Sequence, residues 1–248
     1  MLGRVLSIFT ILSLYSFATT NNKIALLTFD DGPIKATKNI IETVREENIP
    51  VTMFFIGCQI ENFPNIYKDA INYPNILIAN HTYSHANNRY RKFYSDPLLV
   101  VEDIKKANSI VGVDNISNTS SAFLPVRLAG RNVFRLPTIT KNDNMIDTIQ
   151  REKEIVGYDD IYKEGYYIYG WDLEWAYEKN GKPILTPQEI YNSMEKIYEK
   201  KLSSKENKVV LLMHDFMFSN NFDGKENLKT LIQLLKTGGW SFENIENY

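Results

Sequence analysis

The chain has 248 residues, 44% hydrophobic and 23% charged, with a formal net charge of −2. That length suits one large α/β domain. The near-neutral charge, with no basic run long enough to follow phosphates, excludes nucleic acid as a partner. A single cysteine, Cys58, rules out an intramolecular disulfide and reads as a small apolar residue after a strand-like run.

Arg4 is followed by the apolar stretch Val5 to Phe17 and then by the small and polar residues Ala18-Thr19-Thr20. This pattern is expected to be a signal peptide over residues 1–18, leaving 19–248 as the mature domain. The apolar stretch is short for a membrane span, so no stable span is expected after cleavage. The protein is expected to be exported, periplasmic or extracellular; an uncleaved N-terminal anchor is the alternative reading.

Strand-like and helix-like runs then alternate. Ile24 to Phe29 is predicted as a strand, and Thr37 to Glu47 carries Ile40, Ile41 and Val44 at helical spacing. Val51 to Ile56 and Ile76 to Ala79 follow as strands. Asp96-Pro97 opens a helix with Ile104, Ala107, Ile110 and Val111 on one face and Gly112 as its stop. The polar stretch Asp114 to Ser121 reads as a loop. Tyr166 to Trp171 and Val209 to Met213 are later strands. Thr186-Pro187-Gln188-Glu189 is a capping box that starts a helix burying Ile190, Met194 and Ile197. A last helix carries Leu228, Leu231, Ile232 and Leu235. The alternation predicts an α/β fold, a distorted (β/α) barrel of parallel strands with its site at the C-terminal rim.

Three polar motifs fall at strand ends. Thr28-Phe29-Asp30-Asp31-Gly32-Pro33 ends the first strand with adjacent carboxylates, which a bound cation would relieve of mutual repulsion. His81-Thr82-Tyr83-Ser84-His85 places two histidines four apart, as on one side of a helical turn, a spacing suited to one divalent ion. His214, the third and last histidine, lies in Leu212-Met213-His214-Asp215.

Together, in this order, the motifs resemble those of the polysaccharide deacetylase family (carbohydrate esterase family 4, the NodB homology domain), over roughly Ile24 to the C-terminus. The resemblance implies a metal held by Asp31, His81 and His85, with Asp30 as general base and His214 as general acid. Zinc is the expected metal, with cobalt, nickel or manganese able to occupy such a set. An arginine that orients the base is implied at Arg127, in Arg127-Leu128-Ala129-Gly130-Arg131-Asn132, with Arg135 of Arg135-Leu136-Pro137 as the competing position. With Arg127, the Gly130 N–H would help stabilise an oxyanion. Asp172 or Glu174 is expected to pair with His214, and Trp175 with Leu212 to line a slot for the acetyl methyl group, while Trp171 reads as a core aromatic.

The implied activity is metal-dependent removal of N-acetyl groups from amino sugars of a cell-envelope or extracellular polysaccharide, with an N-acetylated glycan as partner. Two alternatives stand beside it. One is a deformylase or deacylase of a lipid-linked amino sugar. The other is a non-catalytic glycan-binding protein on the same fold.

Overall fold

The computed structural model describes residues 22–111 and 124–248. The expected signal peptide and the loop Asp114 to Ser121 lie outside the described residues. No helix among the described residues is long and apolar enough to cross a membrane.

The chain runs through β1 (Lys23–Gly32), α1 (Thr37–Glu47), β2 (Val51–Phe55), α2 (Gly57–Asn62), α3 (Pro64–Ile71) and β3 (Ile76–Asn80). Next come α4 (Tyr90–Tyr94), α5 (Pro97–Val111), β4 (Leu124–Val126), the short β5 (Phe134–Leu136) and β6 (Ile139–Lys141), and α6 (Thr148–Lys163). The chain closes with β7 (Tyr166–Ile168), β8 (Leu173–Glu174), α7 (Pro187–Glu199), β9 (Lys208–His214), α8 (Gly224–Thr237) and β10 (Trp240–Phe242).

The strands form one sheet in the order β6-β5-β7-β4-β3-β2-β1-β9-β8, with β10 alongside β1. Most neighbours are parallel, as expected. The exception is β5, which runs antiparallel to both β6 and β7. No pairing joins β6 to β8, so the sheet is curled and open rather than closed. β1 is flanked by β9 on one edge, while β10 pairs with Lys23 to Ala25 and β2 with Thr28 to Gly32.

Strand parity places the site. Successive strand side chains alternate between faces. Ala25, Leu27 and Phe29 of β1 and Val209, Leu211 and Met213 of β9 join the core shared with the helix residues Ile40, Ile41, Leu228, Leu231 and Ile232. Ile24, Leu26 and Val210 face the inside of the curl with Phe54, Leu77, Ala79 and Phe134. Continuing the inner parity leads to Thr28 and Asp30 on β1, to His81 just past β3, and to His214 at the end of β9. A strand buried on both faces must be largely apolar on both, and the acidic residues of β1 come only where its inner face reaches the C-terminal rim.

The capping box of α7 is present in full: Thr186 accepts from the Glu189 N–H, and Glu189 accepts from that of Thr186. Ile190 and Met194 are buried on this helix, and Ile197 is partly so.

Candidate active site

Asp30 ends the inner face of β1, and its register partner on β9 is His214. The next residue, Asp31, has φ +73, and the β1–β2 register shifts between Asp30 and Gly32. This bulge brings the carboxylate of Asp31 to the same cavity as that of Asp30, where a regular strand would send it to the opposite face. Gly32 is required beside it, because a Cβ would lie 2.3 Å from Asp215 Oδ2.

His81 and His85 do not share a helical turn. Thr82 has φ +65 and His85 φ +49, both left-handed, and the segment between them is an irregular loop. Side-chain acceptors hold it: Asn80 Oδ1 takes the Thr82 N–H at 2.7 Å, and Asp103 Oδ2 takes those of Tyr83 and Ser84 at 2.8 and 3.0 Å. His81 Nδ1 lies 2.9 Å from the Arg127 carbonyl oxygen. A carbonyl can only accept, so Nδ1 carries the proton and Nε2 is left as a ligand atom.

Asp31, His81 and His85 offer ligand atoms that all lie within 4.8 Å of one another. Asp31 Oδ1 is 3.4 Å from His81 Nε2 and 3.2 Å from His85 Nε2. That oxygen is buried with no hydrogen-bond partner. A buried acceptor of this kind facing two imidazole nitrogens fits a divalent cation, and two histidines with one carboxylate make a suitable donor set. Burial pushes the Asp31 carboxyl up, but the neighbouring imidazoles of His81 and His85 outweigh it and hold the group well below the usual carboxylate range. Burial draws the His81 imidazole down, while the charges of Asp30 and Asp31 more than reverse this and raise it.

Arg127, rather than Arg135, meets Asp30. Its Nη1 donates to Asp30 Oδ1 at 2.9 Å and to Thr28 Oγ1 at 2.7 Å. Its Nε and Nη2 donate to the carbonyls of Tyr169 and Gly170 at 3.2 and 2.9 Å. The guanidinium is fully buried and lies over the Phe54 ring. Burial draws its pKa down against the opposing charge of Asp30. Arg135 is engaged elsewhere, with Asp159, Asn142 and the carbonyls of Phe134 and Lys141.

Asp30, Asp31, His81, His85, Gly130, Leu212 and His214 line one cavity of about 570 Å³. Three expected residues do not: Arg127 stands behind Asp30, and Asp172 and Trp175 are placed elsewhere. Asp172 does not pair with His214: its carboxylate accepts from the N–H groups of Ser204 and Val210 and from the hydroxyl of Tyr248. It sits on the far side of the β8 connection, where three donors claim it. Trp175 is also elsewhere, fully buried, with Nε1 donating to the Leu185 carbonyl at 2.8 Å and its ring edge-on to Phe218. Glu174 faces the cavity, and strand alternation sends the next residue into the core. Trp171, expected in the core, lines the cavity instead.

No carboxylate lies within ion-pair distance of His214 among the described residues, and its buried Nδ1 has no hydrogen-bond partner. Rings hold it: Tyr177 at 4.9 Å and 69°, and Phe216 at 5.6 Å and 28°.

The cavity also takes in Tyr90, Asn132, Asp143, Met145 and Tyr177. Of these only Asn132 stood in a motif read from the sequence; Tyr90 opens the five-residue α4, and Asp143, Met145 and Tyr177 sit in connecting segments without periodicity. Asp143 is buried and anchors its own loop, accepting from the N–H groups of Asn132 and Met145 at 3.0 and 2.8 Å.

The polysaccharide deacetylase family model matches residues 17–151, more than half of the chain, and the chain belongs to that family. It is 34% identical to a peptidoglycan-N-acetylglucosamine deacetylase of Bacillus cereus over 113 residues, which cover 45% of this chain and 37% of that protein. It is 25% identical to the chitin disaccharide deacetylase of Vibrio alginolyticus, with 96% of this chain and 74% of that protein covered. The fold matches the catalytic domain of a peptidoglycan N-acetylglucosamine deacetylase from Eubacterium rectale, with a TM-score of 0.62, 21% identity, and 90% of this chain and 89% of that one covered. A pseudoenzyme of the same family from Bacillus anthracis also shares the fold, with a TM-score of 0.59, 16% identity, and 92% of this chain and 66% of that one covered. Fold alone therefore does not carry activity.

Proposed function

We propose that this chain is a metal-dependent N-deacetylase that acts on N-acetylated amino sugars of a cell-envelope or extracellular glycan. The observation that carries the reading is the convergence of Asp30 and His214, register partners across one ladder, on the cavity that holds the Asp31, His81 and His85 cluster. A base and an acid at the two sides of a cation site are what amide hydrolysis needs. The pseudoenzyme alternative is disfavoured because base, acid and three ligand residues are all present in this chain.

Asp31, His81 and His85 would hold the cation, and zinc suits two imidazoles and one carboxylate. When bound, it supplies Lewis acidity that polarises the acetyl carbonyl and acidifies water. Asp30, held and oriented by Arg127, accepts a proton from the attacking water. The Gly130 N–H, at the cavity wall, donates to the acyl oxygen as negative charge builds on it. His214 gives a proton to the departing amide nitrogen, so the C–N bond breaks to a free amine and acetate. Leu212, which lines the same cavity, offers an apolar contact for the acetyl methyl.

The signal-like segment over residues 1–18 supports export of the domain 19–248, where such glycans are found. The direct test is acetate release by the zinc-loaded chain from N-acetylglucosamine oligomers and from peptidoglycan. Release that stops with a chelator and returns with zinc is expected; a zinc-loaded chain that releases no acetate from any of them overturns the reading.

A further inference from the structure

Gly130 has φ +63 and meets the cavity as bare backbone. Its N–H donates to no acceptor among the described residues, while the polar groups on either side of it are committed. The Ala129 carbonyl accepts from the Tyr94 hydroxyl at 2.8 Å. The Ala129–Gly130 peptide is trans, so its carbonyl and its N–H point in opposite directions. Whatever fixes the one therefore aims the other.

The following peptide is fixed as well. Arg131 Nη1 donates to the Gly130 carbonyl at 2.9 Å. Arg131 is itself gripped by Glu154 of α6, with Nε at 2.7 Å from Oε2 and Nη2 at 2.9 Å from Oε1. Glu154 is buried and also receives the Gln150 amide at 2.6 Å and the Tyr158 hydroxyl. The Arg131 guanidinium lies 4.6 Å from the centre of the Tyr94 ring, so both anchors form one packed unit. Buried ion pairs seldom stabilise a fold better than apolar side chains of equal volume would. A pair placed directly behind an unpartnered N–H is more simply explained by where it holds the chain.

We propose that Tyr94 and the Arg131–Glu154 pair are positioning residues that aim the Gly130 N–H at the acyl oxygen. The inference rests on the deacetylase reading, which gives that N–H its role. Tyr94 and Arg131 fix the peptide planes on the two sides of Gly130, and Glu154 keeps Arg131 from turning away.

Two isosteric changes separate positioning from packing. Tyr94→Phe removes the hydroxyl that holds Ala129 and keeps the ring. Tyr248→Phe removes a buried hydroxyl that donates to Asp172 and touches neither the peptides beside Gly130 nor the residues that hold them. Deleting an oxyanion donor costs about 10²–10³ in kcat, so misaiming one is expected to cost roughly 10–100-fold. That loss is expected in Tyr94→Phe with KM and bound zinc unchanged, and Tyr248→Phe is expected to stay within about twofold of wild type. In the metal-free chain, amide hydrogen exchange at Gly130 and its neighbours should quicken in Tyr94→Phe alone. Should that variant fold poorly, Glu154→Gln, which weakens the grip on Arg131, should lower kcat in the same way. Full kcat in Tyr94→Phe, or equal losses in both tyrosine variants, overturns the proposal. A wild-type chain that binds zinc and releases no acetate overturns the reading beneath it, and this inference with it.

Discussion

Around Asp30, Asp31 and His81 nearly every supporting contact is polar: Arg127 on Asp30, the Arg127 carbonyl on His81, and Asn80 and Asp103 under the loop. Around His214 the supports are the rings of Tyr177 and Phe216, and one ring nitrogen has no partner. The first half of the site is wired by directional bonds and the second is packed. Directional bonds fix a charge and a tautomer; packing fixes only a plane. The proposed base and metal ligands need the former. A proposed proton donor is better served by neighbours that do not commit it to one state.

The contrast is open to direct attack, beginning with the largest effect. Asp30→Asn keeps the shape of the wired half and removes its base. Loss of about 10²–10⁴ in kcat is expected, with zinc content by metal analysis unchanged. Loss of zinc instead would mean that the two aspartates have each other's roles.

Arg127→Met leaves Asp30 buried without its guanidinium partner, at a cost of about 3–5 kcal/mol in denaturant unfolding. Tyr177→Leu on the packed half should cost less than about 1 kcal/mol, because that ring is partly exposed. Similar losses from both would erase the distinction between the halves. Asp172→Ala strips three donors of their acceptor and should cost about 1–3 kcal/mol. The kcat of its folded fraction should not change, whereas a true partner of His214 would show in the pH profile of kcat.

The response to pH sharpens the comparison further. The raised His81 imidazole contributes stability to the metal-free chain that is fully present below its ordinary value of 6.5 and is lost as pH rises through its higher folded value. Zinc must displace that proton, so its affinity strengthens over the same interval. The rise in melting temperature caused by zinc should therefore grow as pH climbs from 6.5, as melts with and without metal would show. The smallest effect is expected from Glu174→Gln, an exposed cavity carboxylate with no bond to His214: about 0.5 kcal/mol or less in stability and kcat within about twofold.

How much of this was legible in the sequence follows the same division. The wired residues stood in contiguous motifs at strand ends, and inner-face parity from Leu26 through Thr28 to Asp30 carried them to the rim. The strands β1, β2, β3 and β9, and the capped α7, announced themselves through apolar runs and turn chemistry. The helix α6 did not, because its buried face carries Glu154, Gly157 and Tyr158 in place of an apolar stripe. The antiparallel hairpin of β5 and β6 is three residues a strand, too short for periodicity to register. Asp172, Trp171 and Trp175 lie just outside β8, and a two-residue strand gives no pattern from which to read their sides. The histidine pair was legible as chemistry but not as geometry, since the left-handed turn at Thr82 is imposed by acceptors from β3 and α5.

The bulge at Asp31 makes two adjacent carboxylates functionally unlike. They differ by one peptide and by the sign of φ, and only that difference lets both reach one cavity. Their order is therefore directional, like a word that cannot be read backwards: Asp30 inherits the strand's inner face, and Asp31 inherits the turn. Inserting or deleting one residue before them would exchange inner face for outer along the rest of β1, and no later adjustment of side chains could restore the pair. The reaction centre is thus indexed to the strand's residue count as much as to the identities of its acids.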